Sequence, residues 1–135
     1  MTDPAELIQL GAKARAGRNL AAAREFYEEA ARGYFEAGDR LLYAHTLRHI
    51  ADMYVDERKL ERARPLYIEA LENYRGNLKT TVLDLANAVR PYALLLEASG
   101  EIEEARELWR EARTLYSAVR VDAGVKECEQ HLSQL

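Results

Sequence analysis

A chain of 135 residues, 48% hydrophobic and 31% charged, has the length of one ordinary domain and can bury a core without staples. Its balance excludes a disordered chain, and no apolar run approaches the roughly 20 residues a spanning helix needs. The formal net charge of −4 argues against nucleic acid as a partner.

The elements read as seven helices. Asp3 caps the first and Pro4 opens it; it runs to about Ala16 and ends at Gly17. The second covers roughly 19–37 and stops at Gly38. Asp39 caps the third, about 40–56. The fourth, about 59–75, ends at Gly76-Asn77. The fifth covers about 79–98 and ends at Gly100. The sixth covers about 101–118 and the seventh about 122–133. Pro65 falls in the second turn of helix four, where one backbone bond is lost and a small bend follows. Pro91 falls in the middle of helix five, where a kink or a break into two pieces is expected. The seventh helix has one apolar stripe, Val125, Cys128 and Leu132, and reads as a cap.

One phrase recurs: LAAAREFYEEAA at 20–31, LERARPLYIEAL at 60–71 and IEEARELWREAR at 102–113. Ala23, Ala63 and Ala105 align, with spacings of 40 and 42. Four residues after each comes a ring, Tyr27, Tyr67 or Trp109, and three further on Ala30, Ala70 or Ala112. Upstream lie small residues, Gly11, Ala51 and Ala93, preceded by Leu10, Ile50 and Tyr92. The three- and four-residue spacings are helical. Small residues let helices approach closely, and the ring plugs the gap between neighbouring hairpins.

The pattern resembles the tetratricopeptide repeat over nearly the whole chain. It departs where that signature has tryptophan (Leu7, Leu47, Val89) and proline (Phe35, Arg75, Ser117). The period exceeds the family's roughly 34 residues and is similar to the longer repeats of kinesin light chains, whose EAxPLY-like phrase ARPLY at 63–67 resembles. The resemblance implies an all-α, right-handed α-solenoid: one domain over 1–135, with repeats at about 3–38, 39–76 and 78–118 and a capping helix at about 121–133.

Chemistry is sparse. Ser99, Ser117 and Ser133 lack a G-x-S-x-G context, and there is neither a phosphate loop nor H-E-x-x-H. His45, His49 and Asp52 share one helical face, but Arg48 among them opposes a divalent ion. Cys128 and His131 form a weaker pair. No enzyme activity, metal or cofactor is expected. Opposite charges three or four apart in the recurring phrases read as a solvated outer face.

By the resemblance, the first helix of each hairpin lines a concave groove. The groove positions are Ala5, Ile8, Ala12 and Arg15, then His45, Arg48, Asp52 and Val55, then Asn87, Arg90, Leu94 and Glu97. The first set is bland. The later sets offer Arg48 and Arg90 for carboxylates, with His45, Asp52, Asn87 and Leu94 beside them. Alternatively, Arg48 or Arg90 pairs with Asp52 and the network binds nothing. The carboxylate clamp of chaperone-binding relatives is not expected, because Ile8 and Ala12 stand at its positions. The expected function is a protein-interaction scaffold, an adaptor that takes a peptide segment, acidic or C-terminal, in this groove. The alternative is a self-associating, homodimeric module pairing through Leu7 and Ile8, and a remote one is a metal-dependent enzyme using His45, His49 and Asp52. The lone cysteine fits a reducing cytoplasm, the opening MTDPAELIQLGAKAR carries no leader-like apolar stretch, and the intact-looking start and cap suggest a whole protein. Abundant Ala, Arg and Leu suggest a bacterial source.

Overall fold

The computed structural model describes residues 2–135. Those residues form seven α-helices and no strands: α1 Pro4–Ala16, α2 Leu20–Glu36, α3 Arg40–Asp56, α4 Leu60–Arg75, α5 Val82–Ala98, α6 Ile102–Ala118 and α7 Asp122–Gln134. The chain divides into two units, the first ending at Asn77 and the second running Leu78–Leu135. None of the described helices is long and apolar enough to cross a membrane.

The first unit holds α1–α4, each packed on the next. Three of its four helices, α1–α3, start where short polar side chains satisfy orphan amides, and α4 starts without such a cap. Asp3 accepts from the Ala5 amide at 3.1 Å, Asn19 from Ala22 at 3.2 Å and Asp39 from Leu42 at 3.1 Å. The core is the recurring small-and-ring set. Ala23, Ala63 and Ala51 are inaccessible to solvent, and Tyr27 and Tyr67 are buried against them. Gly11 lies so close to the Tyr27 ring that a Cβ there would meet it at 3.1 Å. The Tyr27 ring in turn stacks on His49 of α3, with centroids 5.8 Å apart. Leu7, expected on a self-association face, is instead 4% exposed, because its position belongs to the apolar stripe that packs α1 onto its neighbour.

The second unit holds α5–α7, with α6 packed on both others. Trp109, Ala105, Ala112 and Cys128 are fully buried. Its first helix begins at Val82, three residues later than the sequence suggests. The reason is a capping box: the Asp84 amide donates to Thr81 Oγ1 at 3.0 Å, and the Thr81 amide donates back to the Asp84 carboxylate at 3.3 Å. Pro91 does not break α5, which continues to Ala98. Buried Ala88, Val89, Tyr92, Ala93 and Leu96 bracket the proline, and their packing holds the turn that has lost its hydrogen bond. Pro65 sits inside α4, in its second turn, as expected.

Five of the six links are three residues long and end their helices alike. The Asn19, Asp39, Lys59, Glu101 and Val121 amides reach back to the carbonyls of Ala14, Tyr34, Tyr54, Leu96 and Tyr116 at 2.8–3.0 Å, the six-to-one bond of a Schellman turn. Such a turn needs one left-handed residue. Gly38 and Gly100 supply it in two links, but Arg18, Arg58 and Arg120, with φ of 63°, 65° and 59°, do so in three. Gly17 and Gly76, expected as stops, keep negative φ at −81° and −86°.

Candidate functional site

The groove positions can either await a ligand or bond one another. Most are engaged within their own unit. In the first, His45 Nδ1 pairs with the hydroxyl of buried Tyr74 of α4. Asp52 accepts from the hydroxyl of buried Tyr67 at 2.5 Å. His49 lies against Tyr27. The same helix face thus turns its two imidazoles and one carboxylate to three different partners, and no group of three His, Cys, Asp or Glu suited to a metal exists among the described residues. Burial, then the neighbouring Arg48 guanidinium, hold His49 below its ordinary pKa. Arg15 and His45 act in the same sense and Asp52 in the opposite one. Arg15 itself pairs with Asp56 at 2.9 Å.

Arg48 differs from these. It is half-buried among His45, His49 and Asp52, and its guanidinium makes no hydrogen bond or ion pair among the described residues. The expected alternative, an Arg48–Asp52 pair, does not form, because the Asp52 carboxylate is turned to Tyr67.

In the second unit, Asn87 Oδ1 accepts from the hydroxyl of buried Tyr116 at 2.7 Å. Asn87 and Tyr116 are 29 residues apart, as are His45 and Tyr74, so one latch is built twice. Arg90 grips Glu127 of α7 with two bonds, Nε at 2.5 Å and Nη2 at 2.8 Å. The Glu127 carboxyl is held below its usual range, chiefly by that hydrogen bond. Leu94 is half-buried. Glu97 accepts at one oxygen from both Trp109 Nε1 at 2.5 Å and His131 Nδ1 at 2.7 Å. The His131 ring stacks on Trp109 at 4.1 Å. Arg90 and Glu97 therefore fasten α7, a task that register alone did not reveal. His131 is turned to Glu97 and Trp109, and the Cys128 thiol is buried and pushed up to about 11, first by burial and then by Glu127.

The charged phrases behave as expected on the outer face, with Glu61–Arg64 and Glu103–Arg106 pairs one turn apart. A bidentate Arg24–Glu57 pair at 2.7 Å, with Arg24 also over the Tyr54 ring, joins α2 to the end of α3. It spans 33 residues, so no local spacing signals it.

The first unit also carries an open cleft of about 790 Å³ among α2, α3 and α4. Leu47, Ile50 and Tyr54 of α3 form its floor, and Phe35, Pro65 and Leu66 line its walls. It lies on the opposite face of α3 from Arg48, since Leu47, Ile50 and Tyr54 repeat at three and four residues half a turn away from His45, Arg48 and Asp52.

No family model matches the chain, and no curated protein matches it. Among solved structures it is similar to BtubC (BKLC) from P. vanneervenii, with a TM-score of 0.71 and 19% sequence identity. That likeness covers 99% of this chain and 65% of the other, so the chain spans about two thirds of that protein's length. At this identity the likeness shows the fold. The seven helices, their recurring hairpin unit and this neighbour establish an all-α helical-repeat architecture.

Proposed function

We propose that this chain is a protein-interaction scaffold of tetratricopeptide type that binds a peptide segment of another protein along its first-helix face. The side chain or terminus it reads is a carboxylate. The observation that carries this reading is Arg48, a half-buried guanidinium without an internal hydrogen bond on a face where His45 and Asp52 have theirs. A fork of donors held in place by packing, with its bonds unmade, is suited to an incoming carboxylate. The resemblance to repeat proteins and the likeness to BtubC support the scaffold, and the absence of a nucleophile motif supports binding over catalysis. Arg90 and Asn87 belong to this reading only as supports, since each bonds inside the second unit.

The test uses a library of soluble peptides with free C-terminal carboxylates, screened by fluorescence anisotropy against wild type and Arg48→Ala. Binding that Arg48→Ala weakens about tenfold or more, the ~1.4 kcal/mol scale of a charge-assisted bond, and that amidation of the peptide or removal of its acidic residue also weakens, supports the reading. Binders indifferent to Arg48, or no binder at all, refute it. Arg90→Ala is a poor probe of ligand contact, because it also releases Glu127 and α7.

A further inference from the structure

His49 stands beside Arg48 on the same face of α3 and, like it, is left without a hydrogen bond by the fold. Its ring lies on Tyr27 of α2, with centroids 5.8 Å and planes 15° apart, which fixes the imidazole in a half-buried position. Its nitrogens make no hydrogen bond among the described residues, whereas His45 bonds Tyr74 and Asp52 bonds Tyr67. The charged and titratable groups around it come from every helix of the unit. Arg15 reaches it from α1, the Tyr27 ring faces it from α2, and Arg48, His45 and Asp52 act on it from α3 itself. Tyr67 of α4 is joined to the group through Asp52, and Asp56 through Arg15. Two guanidiniums thus stand against two carboxylates, and the face carries no net charge while its imidazoles are neutral. Burial and the Arg48 charge both oppose a proton on His49. A carboxylate on Arg48 cancels the second of these and itself attracts an imidazolium. The imidazolium in turn offsets the repulsion between that carboxylate and Asp52.

We propose that His49 takes up a proton as a carboxylate seats on Arg48, so that this face binds carboxylates more tightly in mildly acidic than in alkaline solution. This coupling rests on the Arg48 reading above and adds the regulation of that site. Binding and protonation are reciprocal: the factor by which the ligand raises the proton affinity of His49 is the factor by which the proton raises the affinity for the ligand. On a half-exposed face one such charge pair contributes about three- to tenfold. Without ligand His49 gains its proton only below its ordinary value of 6.5. The gain in affinity therefore opens as the pH falls through that region and is absent in alkaline solution.

The probe is N-acetylglycine, a blocked residue with a free C-terminal carboxylate, with N-acetylglycinamide as its uncharged counterpart. Each is titrated into the full chain to about 200 mM at constant ionic strength, the range a contact of one or two bonds requires. The side-chain NMR signals of Arg48 and His49 are followed at about pH 8 and about pH 5.5, either side of the ordinary imidazole range. Wild type is expected to bind the acid and not the amide, about three- to tenfold more tightly at the lower pH. The titration of His49 is expected to move to higher pH when the acid is present. His49→Phe, which keeps a ring over Tyr27, is expected to bind with one affinity at both pH values, and Arg48→Ala is expected not to bind. Circular dichroism checks that each variant keeps its helicity at both, and His49→Gln replaces the phenylalanine variant if helix is lost. Binding that needs Arg48 but is equal at the two pH values in wild type overturns the coupling and leaves the Arg48 reading standing. The same holds if the pH dependence survives the loss of His49 and so belongs to His45 or another group. Acid that does not saturate wild type at either pH, or that binds Arg48→Ala as well, overturns both.

Discussion

Replacing Glu97 with alanine tests whether the polar groove positions of the second unit hold the fold together. Trp109 is fully buried, and its indole N–H donates to Glu97 at 2.5 Å. An indole has one donor and no second way to satisfy it. A hydrogen bond to a charged acceptor contributes about 1.5–3 kcal/mol, and a buried donor left unpaired costs about 1–3 kcal/mol. The half-buried Glu97–His131 pair adds at most about 1 kcal/mol after solvent screening. Glu97→Ala is therefore expected to lose about 2–3 kcal/mol. Glu97→Gln keeps an acceptor oxygen and loses only the charge, so about 1 kcal/mol is expected. With a urea slope of about 1–3 kcal/mol per molar for a chain this size, the alanine variant's midpoint falls by about 1 M. Trp109 is the only tryptophan, so its fluorescence reports the second unit directly, beside circular dichroism for all helices. Combining the change with Trp109→Phe, which has no donor, should recover about 1–2 kcal/mol of coupling. A loss below about 0.5 kcal/mol for Glu97→Ala, or no coupling to Trp109→Phe, would show that the bond contributes nothing and refute the reasoning.

Three further perturbations have determined signs. Gly124→Ala in α7 would place a Cβ 2.6 Å from the Tyr116 ring; the usual gain of about 1 kcal/mol for Gly→Ala in a helix is expected to reverse into a loss of about 1–3 kcal/mol, read as a lower melting temperature. Arg58→Gly relieves a left-handed arginine that costs about 1–2 kcal/mol but loosens the unfolded chain by about 0.4–1 kcal/mol, so a net gain of about 0.5–1 kcal/mol is expected and Arg58→Val is expected to destabilise. His49 has its pKa depressed below 6.5, so the unfolded chain takes up a proton that the folded one resists. Its contribution is intact above pH 6.5 and declines as pH falls below that value. Urea midpoints between pH 8 and pH 5 should fall for wild type, and His49→Phe, which retains a ring over Tyr27, should lose that part of the slope.

The helix boundaries were legible because their signals are local. Asp3, Asn19 and Asp39 cap within three residues of themselves, and the recurring alanine-and-ring phrase marks buried positions by period alone. Where the reading failed, the deciding partner lay outside the window. Gly17 does end α1, but the reach of the six-to-one bond puts the left-handed residue one place on, at Arg18. Pro91 looked like a break, but side chains packed on both sides of it keep α5 whole. Arg90 looked like a ligand donor, but its acceptor, Glu127, lies 37 residues on. Glu127 sits on a helix whose polar residues gave no hint of facing inward.

The groove residues follow a rule that the repeat itself suggests. A tyrosine buried between helices brings a hydroxyl with it, and that hydroxyl needs a partner. Tyr74 and Tyr116 are 1% and 3% exposed, and the groove positions 29 residues before them hold His45 and Asn87. Tyr34 occupies the same place in the first hairpin but is only half-buried, and its phenol is raised by burial together with Asp3 and Asp39. The position 29 residues before it is Ala5. The polar residue appears where the ring is sealed and is missing where the ring reaches water. The chemistry of a groove position in this chain is thus set first by the ring across the hairpin. A ligand-reading role can be assigned from sequence only after that demand is subtracted. Of the six groove residues singled out, His45, Asp52, Asn87 and Arg90 are accounted for by partners inside their own unit, and Leu94 is a half-buried aliphatic side chain. Arg48, whose carboxylate neighbour is already engaged by Tyr67, is the position where subtraction leaves a donor over.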